Sequence, residues 1–284
     1  MLLEAEFVMR AEDELELPQF TGYISRGILL NLIRQVDPSS SQSLHESNVA
    51  KPYSVTPLYF RSKRRTELGY ILDPSSPLSF KIRFLNEKHA NELLRTFEKR
   101  RTIMIRDKTL RIDSVRVRAE SYEALMESAS PAVKLYFEFL TPTRFAALGR
   151  EKEYLFPEQK KVFGGLLELW NRFSGLPLGE TDAKAYMEWL GSSSWVSSYI
   201  LRTELKDTSK GRIIGFTGKV AYNFDGDERW QRTTSCLAAF ANFSNVGKGR
   251  TSGFGVVRTE IKCGQEKDEK ERVTQRTEQQ SRGP

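Results

Sequence analysis

Near its carboxyl end the chain reads Asn245-Val246-Gly247-Lys248-Gly249-Arg250-Thr251-Ser252-Gly253-Phe254-Gly255-Val256-Val257. Four glycines fall within nine residues, and glycine lets a loop adopt positive φ and lets another backbone approach closely. Successive amides in such a loop can form a concave anion site, and Lys248 and Arg250 add positive charge for phosphate. The stretch therefore predicts a loop that binds a phosphate backbone. A flexible hairpin with a solvated tip is the alternative.

Two mononucleotide-binding motifs do not fit this loop. A Walker loop needs four residues between its glycines and then Gly-Lys-Ser/Thr, which is not the spacing here. A Rossmann fingerprint lies between an early strand and a helix. In this chain the residues from Phe254 to Ile261 alternate like a strand, so the loop leads into a final strand instead.

Composition indicates a globular protein with a basic folded body. The 284 residues suffice for two domains, and the net charge is +7 with 39% hydrophobic residues. The last 21 residues carry five basic and five acidic side chains, so the excess positive charge lies outside them. This favours a polyanionic partner for the folded body. No apolar run is long enough for a membrane span, and residues 1–7 lack the pattern of a signal peptide. Cys236 and Cys263 are too few for a disulfide framework, which favours a reducing cytoplasm.

The pattern of the first half predicts a ferredoxin-like domain over residues 1–120. Hydrophobic periodicity gives the order strand, helix, strand, strand, helix, strand, which is the split βαβ unit. The predicted elements are strand 3–17, helix 21–36, strand 51–60, strand 78–85, helix 86–100 and strand 109–118. The run Asp37-Pro38-Ser39-Ser40-Ser41 is expected to end the first helix, and a polar loop carrying His45 is expected to follow.

The same order appears again after a predicted linker at residues 121–132. The second domain, residues 133–263, is predicted to contain strand 133–140, helix 157–173, helix 182–190, strands 195–205 and 212–224, helix 228–243 and the strand after the glycine loop. The chain is thus predicted to be α+β, with tandem ferredoxin-like (RRM-like) domains and antiparallel sheets that carry helices on one face. Residues 264–284 have almost no apolar side chains and are predicted to be a disordered, charged tail.

Few residues suit acid–base chemistry. His89 lies on the second predicted helix and is expected to be an ordinary surface or half-buried residue. His45 lies in the predicted polar loop, where working residues are common, although a solvated loop histidine is the equal alternative. Lys51 follows six residues later. A histidine can exchange protons with a 2′-hydroxyl or a leaving 5′-oxygen, and a lysine can neutralise a phosphorane, so the pair suits RNA cleavage without a metal.

Other constellations favour structural roles, and we predict no metal site and no cofactor. Two histidines and two distant cysteines give no zinc spacing. Asp225-Gly226-Asp227-Glu228 precedes a predicted helix and is better suited to N-capping than to holding a cation, and Cys236 lies on an apolar helix face. Basic side chains cluster in three places and, with Lys248 and Arg250, are a candidate phosphate track. The clusters are Arg61 to Arg65, Lys99 to Arg101, and the set Arg111, Arg116 and Arg118.

Together these features resemble one family, the CRISPR repeat-RNA-processing endoribonucleases of the Cas-six type, within the RAMP superfamily. The resemblance rests on the tandem domains, on Leu44-His45-Glu46 with Lys51 six residues on, and on Asn245-Val246-Gly247, five residues, then Gly253-Phe254-Gly255. The superfamily pattern has glycine where this chain has Asn245, the residue that best imitates glycine at positive φ.

The resemblance implies cleavage within the repeat of precursor crRNA, without metal, by attack of the 2′-hydroxyl on the adjacent phosphate. The products would be a 2′,3′-cyclic phosphate and a 5′-hydroxyl. A histidine, a lysine and a tyrosine form the family triad, so His45 and Lys51 match the first two. Leu30 stands where the tyrosine is expected, and Tyr23, about two turns earlier, is the substitute. The glycine loop would bind RNA through Gly247, Lys248, Gly249, Arg250, Ser252, Gly253, Phe254 and Gly255. The RNA is expected to lie in a cleft between the two halves, held by this loop and cut at His45.

A non-catalytic RNA-binding RAMP subunit of a CRISPR effector complex is the second hypothesis, and the missing tyrosine favours it. The expected partners are CRISPR repeat RNA in precursor crRNA and an effector complex that receives the product. The sequence leaves open whether the protein forms a homodimer, and the expected location is the cytoplasm.

Overall fold

A computed structural model of the chain describes residues 1–45, 50–97, 101–147, 152–208 and 211–263. It confirms the α+β class, with two large antiparallel sheets that each carry helices. The predicted tail at residues 264–284 lies outside the described residues. None of the helices in the described ranges is long and apolar enough to cross a membrane.

The amino-terminal half is built on a five-stranded sheet of order β3-β6-β1-β8-β7, with a smaller sheet of order β2-β5-β4 beside it. Alternation along β1 buries Leu3, Ala5, Phe7 and Met9 in a core shared with α1 and α3. The elements are β1 Leu2–Ala11, β2 Glu16–Pro18, α1 Gly22–Val36, α2 Pro38–His45, β3 Tyr53–Val55, β4 Ser62–Arg65, β5 Gly69–Leu72, β6 Leu78–Phe84, α3 Glu87–Phe97, β7 Thr102–Ile105 and β8 Lys108–Glu120.

The carboxy-terminal half has a four-stranded sheet of order β12-β13-β9-β14, whose helices pack on an aromatic core. Phe137 of the sheet packs edge-on against Phe163 and Tyr222. The elements are α4 Tyr122–Ser128, β9 Ala132–Thr143, β10 Phe145–Ala146, β11 Glu153–Tyr154, α5 Gln159–Phe173, α6 Glu180–Ser192, β12 Ser194–Thr208, β13 Gly211–Phe224, α7 Glu228–Ser244 and β14 Val257–Cys263. The glycine loop leads from α7 into β14, as predicted.

The prediction of a polar loop around His45 is wrong, because residues 38–45 form helix α2 and His45 is its last residue. Asp37 starts this helix: its carboxylate accepts hydrogen bonds from the backbone amides of Ser39 at 2.9 Å and Ser40 at 3.1 Å. Asp at the N-cap and Pro at the first helical position are start signals. The same residues that end α1 therefore begin α2.

The predicted linker at residues 121–132 also contains a helix. The Ser121 hydroxyl accepts a hydrogen bond from the Ala124 amide at 3.0 Å and caps α4. Tyr122 and Leu125 are buried in the carboxy-terminal core, and the Tyr122 hydroxyl donates to the Leu85 carbonyl at 2.8 Å. The segment is therefore packed structure rather than a free connection, and the residue boundaries of the two domains stay a prediction.

The two halves meet along α7. The Ser54 hydroxyl of β3 donates to the Phe243 carbonyl at 2.6 Å, and the Arg118 guanidinium of β8 lies 5.0 Å from the centre of the Phe243 ring. The end of α7, where the glycine loop begins, thus packs on the first sheet.

Candidate RNA-binding and cleavage site

Helices α1 and α2 enclose an open groove of about 740 Å³ that contains His45. The imidazole is exposed at the end of α2, and Leu30 contributes to the opposite wall from α1. The lining residues are Gly27, Leu30, Asn31, Arg34, Pro38, Ser41, Gln42 and His45. The groove joins an imidazole with a guanidinium and two amides, groups that can bind a phosphodiester.

Sequence reasoning missed Asn31, Arg34 and Gln42 as groove residues. Gly27, Asn31 and Arg34 lie four and seven residues apart, which places them on one face of α1. That polar face in an otherwise apolar helix was the available signal. It could not be interpreted without α2, which forms the facing wall.

The structure brings Lys51 to the helix that carries His45. The Lys51 ammonium donates to the carbonyl of Ser43 at 2.9 Å, two residues before His45 in the last turn of α2. A cation at a helix C-terminus is favourable because the last carbonyls have no intrahelical partner. The His45 and Lys51 side chains are therefore associated with one helix end, as a shared site requires.

Tyr23 lies in a different place from His45. It sits in the first turns of α1, half-buried, and its ring packs edge-on against Phe254 of the glycine loop at 6.3 Å between ring centres. Phe254 in turn stacks on Phe20 at 4.2 Å. Tyr23 is not among the groove-lining residues, whereas Leu30 is.

The glycine loop has the backbone that its sequence predicted. Its four glycines all have positive φ, between 66° and 81°. Several of its amides already have protein acceptors: Lys248 N–H donates to the Arg144 carbonyl at 2.9 Å and Gly255 N–H to the Pro142 carbonyl at 3.2 Å. These amides hold the loop on the second sheet, so the surface left for a ligand is smaller than the whole loop.

The glycine loop also packs closely against the amino-terminal half of the protein. A Cβ on Gly22, the first residue of α1, would lie 2.0 Å from the Ser252 carbonyl oxygen. A Cβ on Gly253 would lie 3.0 Å from the Cα of Gly22 and 3.1 Å from Pro57. The absence of side chains at Gly22 and Gly253 is what allows this contact between the halves.

The predicted RNA-binding side chains of the loop divide into an exposed and a buried group. Lys248 is exposed and pairs with Glu153 at 3.0 Å. Arg250, Ser252 and Phe254 are buried, and the Arg250 guanidinium is directed into the protein. Lys248 and Arg250 both border a second cavity of about 330 Å³, to which Lys160 and Lys161 of α5 contribute.

Asn245, which stands in place of a family glycine, does more than imitate glycine. Its φ of 57° and ψ of 175° place it in a backbone region that is almost exclusive to glycine. Its side-chain amide donates to the carbonyls of Val55 at 3.0 Å, Arg250 at 3.1 Å and Phe254 at 3.3 Å, and its oxygen accepts from Arg83 at 2.9 Å. The buried Asn245 side chain thus connects the two halves of the protein and the two ends of the glycine loop.

Arg83, which donates to Asn245, also forms an ion pair with the carboxylate of Glu4. Its Nε donates to Glu4 at 2.6 Å, and Lys81 donates to the same carboxylate at 2.7 Å. Burial raises the pKa of Glu4, but the attraction of Arg83 and Lys81 outweighs burial and the net pKa lies below its ordinary value. Glu4 is therefore ionised at neutral pH and fixes the Arg83 guanidinium beside Asn245.

His89 is more buried than the surface or half-buried position expected of it, whereas Cys236 and Asp227 have the structural roles that were expected. His89 is buried, its Nδ1 lies 2.8 Å from the Asn86 side-chain oxygen, and burial lowers its pKa. Burial raises the pKa of the Cys236 thiol to about 12, so it is protonated at neutral pH. Asp227 caps α7 by accepting from the Arg229 amide at 2.8 Å, and no cluster of metal ligands occurs in the described ranges.

The basic clusters on the amino-terminal sheets are mostly ion-paired. Arg111 pairs with Asp113 at 3.1 Å and Arg118 with Glu120 at 2.6 Å. Lys63 pairs with Glu14 at 2.7 Å. Lys99 and Arg100 lie outside the described residues. These pairs reduce the charge available for a continuous phosphate track.

Comparison with known families and sequences points to one group of proteins. A family model described as CRISPR-associated endoribonuclease Cas6 matches residues 137–257. A CRISPR-associated endoribonuclease Cas6 from Streptococcus thermophilus is 23% identical over 184 residues, which cover 63% of this chain and 74% of the relative. One from Mycobacterium tuberculosis is 27% identical over 135 residues, which cover 47% of this chain and 41% of the relative.

Solved structures of similar proteins have the same overall fold as this chain. The product complex of Cas6 (TTHB231) superposes with a TM-score of 0.76 at 24% identity, over 92% of this chain and 100% of that one. A RAMP protein that binds different RNA substrates superposes with a TM-score of 0.59 at 13% identity, over 91% of this chain and 99% of that one. Cas6 and RAMP neighbours have tandem ferredoxin-like folds, which confirms the predicted fold.

Proposed function

We propose that this chain is a Cas6-type endoribonuclease that cuts CRISPR repeat RNA within precursor crRNA. The observation that carries the proposal is the placement of His45 and Lys51 at one end of α2, beside a groove lined by Asn31, Arg34 and Gln42. Relatives named as Cas6 endoribonucleases give the substrate class.

The chemistry that fits this groove is transesterification within the RNA. The 2′-hydroxyl attacks the adjacent phosphorus, the P–O5′ bond breaks, and the products are a 2′,3′-cyclic phosphate and a 5′-hydroxyl. His45 acts in proton transfer, as the exposed imidazole at the groove. Lys51 and Arg34 stabilise the negative charge of the phosphorane. The step needs no metal because protein side chains supply both proton transfer and charge stabilisation.

RNA binding is assigned to the outer surface of the glycine loop, at Gly247, Lys248 and Gly249. Lys248 is the exposed cation of the loop and stands at the cavity that Lys160 and Lys161 also line. Tyr23 lies against Phe254 and is placed to contact RNA that passes from the loop along α1. Its assignment as general base requires the RNA to bring the 2′-hydroxyl to that end of the helix.

One observation favours the second candidate, a non-catalytic RNA-binding subunit. Leu30, an apolar residue, lines the groove where the resembling family would place a tyrosine. A site without that hydroxyl can bind RNA and leave it intact. Release of the product to an effector complex, a homodimer and a cytoplasmic location belong to the first proposal and are open to size measurement and pull-down with tagged protein.

The two candidates differ in one experiment. The purified protein is incubated with candidate repeat RNAs in excess chelator, and the product ends are analysed. We expect one cut, a cyclic phosphate end, and a rate reduced at least about a hundredfold in His45→Ala, since general acid–base catalysis contributes that much. Tight binding of a repeat RNA without any product selects the non-catalytic subunit. An unchanged rate in His45→Ala removes this imidazole from the mechanism.

A further inference from the structure

We propose that Arg250 is a positioning residue for Lys51 and that its guanidinium acts on the protein, not on RNA. The inference rests on the proposed endoribonuclease function, since Lys51 matters only if the groove cleaves RNA. It gives Arg250 a role that differs from the phosphate contact predicted from the sequence.

The contacts of the guanidinium define this role. Nη1 donates to the carbonyls of Tyr53 at 3.1 Å and Ser244 at 3.2 Å, and Nη2 donates to the carbonyl of Lys51. Lys51 and Tyr53 enter β3 in the amino-terminal half, whereas Ser244 ends α7 in the other half. The rigid, planar fork of an arginine suits such a set of fixed acceptors better than the ammonium of a lysine.

The electrostatics agree with a buried structural cation. Arg250 is 8% exposed, and among the ion pairs of the described residues none includes it, so carbonyl dipoles satisfy its charge. Burial lowers its pKa to about 10, which still leaves it protonated at neutral pH. A buried cation is costly unless it is fully hydrogen-bonded. Hydrogen bonds to backbone carbonyls and the attraction of the Glu168 carboxylate offset that cost here.

Lys51 is the residue whose backbone position these hydrogen bonds fix. It lies two residues before the start of β3. Its backbone is held by Arg250, and its ammonium reaches the Ser43 carbonyl on α2. A continuous set of contacts therefore runs from the glycine loop through Lys51 to the helix end that carries His45.

Lys248 provides a matched comparison within the same loop. It lies two residues from Arg250 and carries the same charge, but its side chain is 47% exposed and pairs with Glu153. Substitution of Lys248 should affect RNA affinity, and substitution of Arg250 should affect the chemical step.

The test is a double-mutant cycle between Arg250→Met and Lys51→Ala, read by single-turnover cleavage at saturating repeat RNA. Kd is measured separately with a non-cleavable RNA that carries a 2′-deoxy nucleotide at the cut. We expect Arg250→Met to lower the rate at least about tenfold, since small misplacements of catalytic groups cost that much or more. We expect its Kd to change less than about threefold, and its rate effect to disappear in Lys51→Ala. Lys248→Met should instead raise Kd.

Arg250→Lys keeps the charge and is measured in the same cycle, so that the test stands if Arg250→Met does not fold. An increase in Kd equal to that of Lys248→Met, or a full rate effect of Arg250 substitution in the Lys51→Ala background, would overturn the positioning role while leaving the endoribonuclease intact. If the wild-type protein cleaves no repeat RNA, the proposed function and the role of Arg250 fall together.

Discussion

Replacing Asn245 by glycine, the residue of the family pattern, sets two large effects against each other. The side chain donates its two amide hydrogens to three carbonyls and accepts one hydrogen bond from the Arg83 guanidinium. Two neutral bonds at about 1 kcal/mol each and one charged bond at about 2 kcal/mol amount to roughly 4 kcal/mol. Glycine would lose these bonds but relieve the backbone, whose φ of 57° and ψ of 175° cost about 2 kcal/mol in a residue with a Cβ.

We therefore expect Asn245→Gly to lower the free energy of unfolding by about 2 kcal/mol. Asn245→Ala loses the same hydrogen bonds and keeps the backbone cost, so it should be lower by about 2 kcal/mol more. Denaturant unfolding of the wild type and both variants measures these values, and equal m-values show that the same surface is exposed in each. The difference between the two variants isolates the backbone contribution from the side-chain contribution.

Two results would refute this reasoning. If Asn245→Gly is as stable as the wild type or more stable, the hydrogen bonds of Asn245 contribute less than its backbone costs. If Asn245→Ala and Asn245→Gly are equally stable, the unusual backbone conformation carries no cost. The first result would remove the role of Asn245 in joining the two halves, and the second would remove the backbone cost from the calculation.

Two further predictions concern the same junction. Gly22→Ala should destabilise the protein by about 1–3 kcal/mol or more, because the new Cβ would clash with Ser252. Gly27→Ala in the same helix places no atom within 4 Å of the new Cβ and should stabilise the protein by up to about 1 kcal/mol. Thermal unfolding of both variants checks the sign, and equal effects would contradict the close contact between Gly22 and Ser252. The lowered pKa of Glu4 means that its stabilising contribution is fully present above its unfolded pKa, near about 4.3, and is lost as pH falls through the folded pKa. Glu4→Gln should thus be less stable than the wild type at pH 7, and the gap should narrow below about pH 4; a gap that stays constant down to about pH 3 would rule out this linkage.

The sequence allowed most of the fold to be predicted where a pattern is long and local. The alternation of β1, the amphipathic period of α1 and the positive φ of the glycine loop all follow from residues close in the chain. Helix α2 did not, because Asp37 and Pro38 are both a stop signal and a start signal. Helix α4 was missed because Ser128, Ser130 and Pro131 give residues 121–132 the composition of a linker, whereas Ser121 is an N-cap.

The site was predictable in its residue types but not in its contacts. His45 stands out because the chain has two histidines and Lys51 follows it by six residues, and the structure places both at one helix end. The burial of Arg250 could not be predicted, because its acceptors at Lys51 and Tyr53 lie about two hundred residues away. Local sequence describes a charged loop, and only the tertiary structure shows which charge faces solvent.

The sequence also predicted one cleft shared by the glycine loop and His45, and the structure has a different arrangement. The groove at His45 is lined by α1 and α2 alone, while the loop touches α1 at its other end, through Gly22. From Gly22 to Arg34 the helix rises about 18 Å, a length that stacked bases at about 3.4 Å each would span with five or six nucleotides. On the proposed function, we expect an RNA strand that contacts both Lys248 and His45 to run along α1, past Tyr23 and Gly27. Helix α1 and the hydrogen bond from Arg250 to Lys51 both connect the glycine loop to the end of α2 that carries His45. A change in the loop is therefore expected to alter the rate of cleavage without a direct contact to the groove.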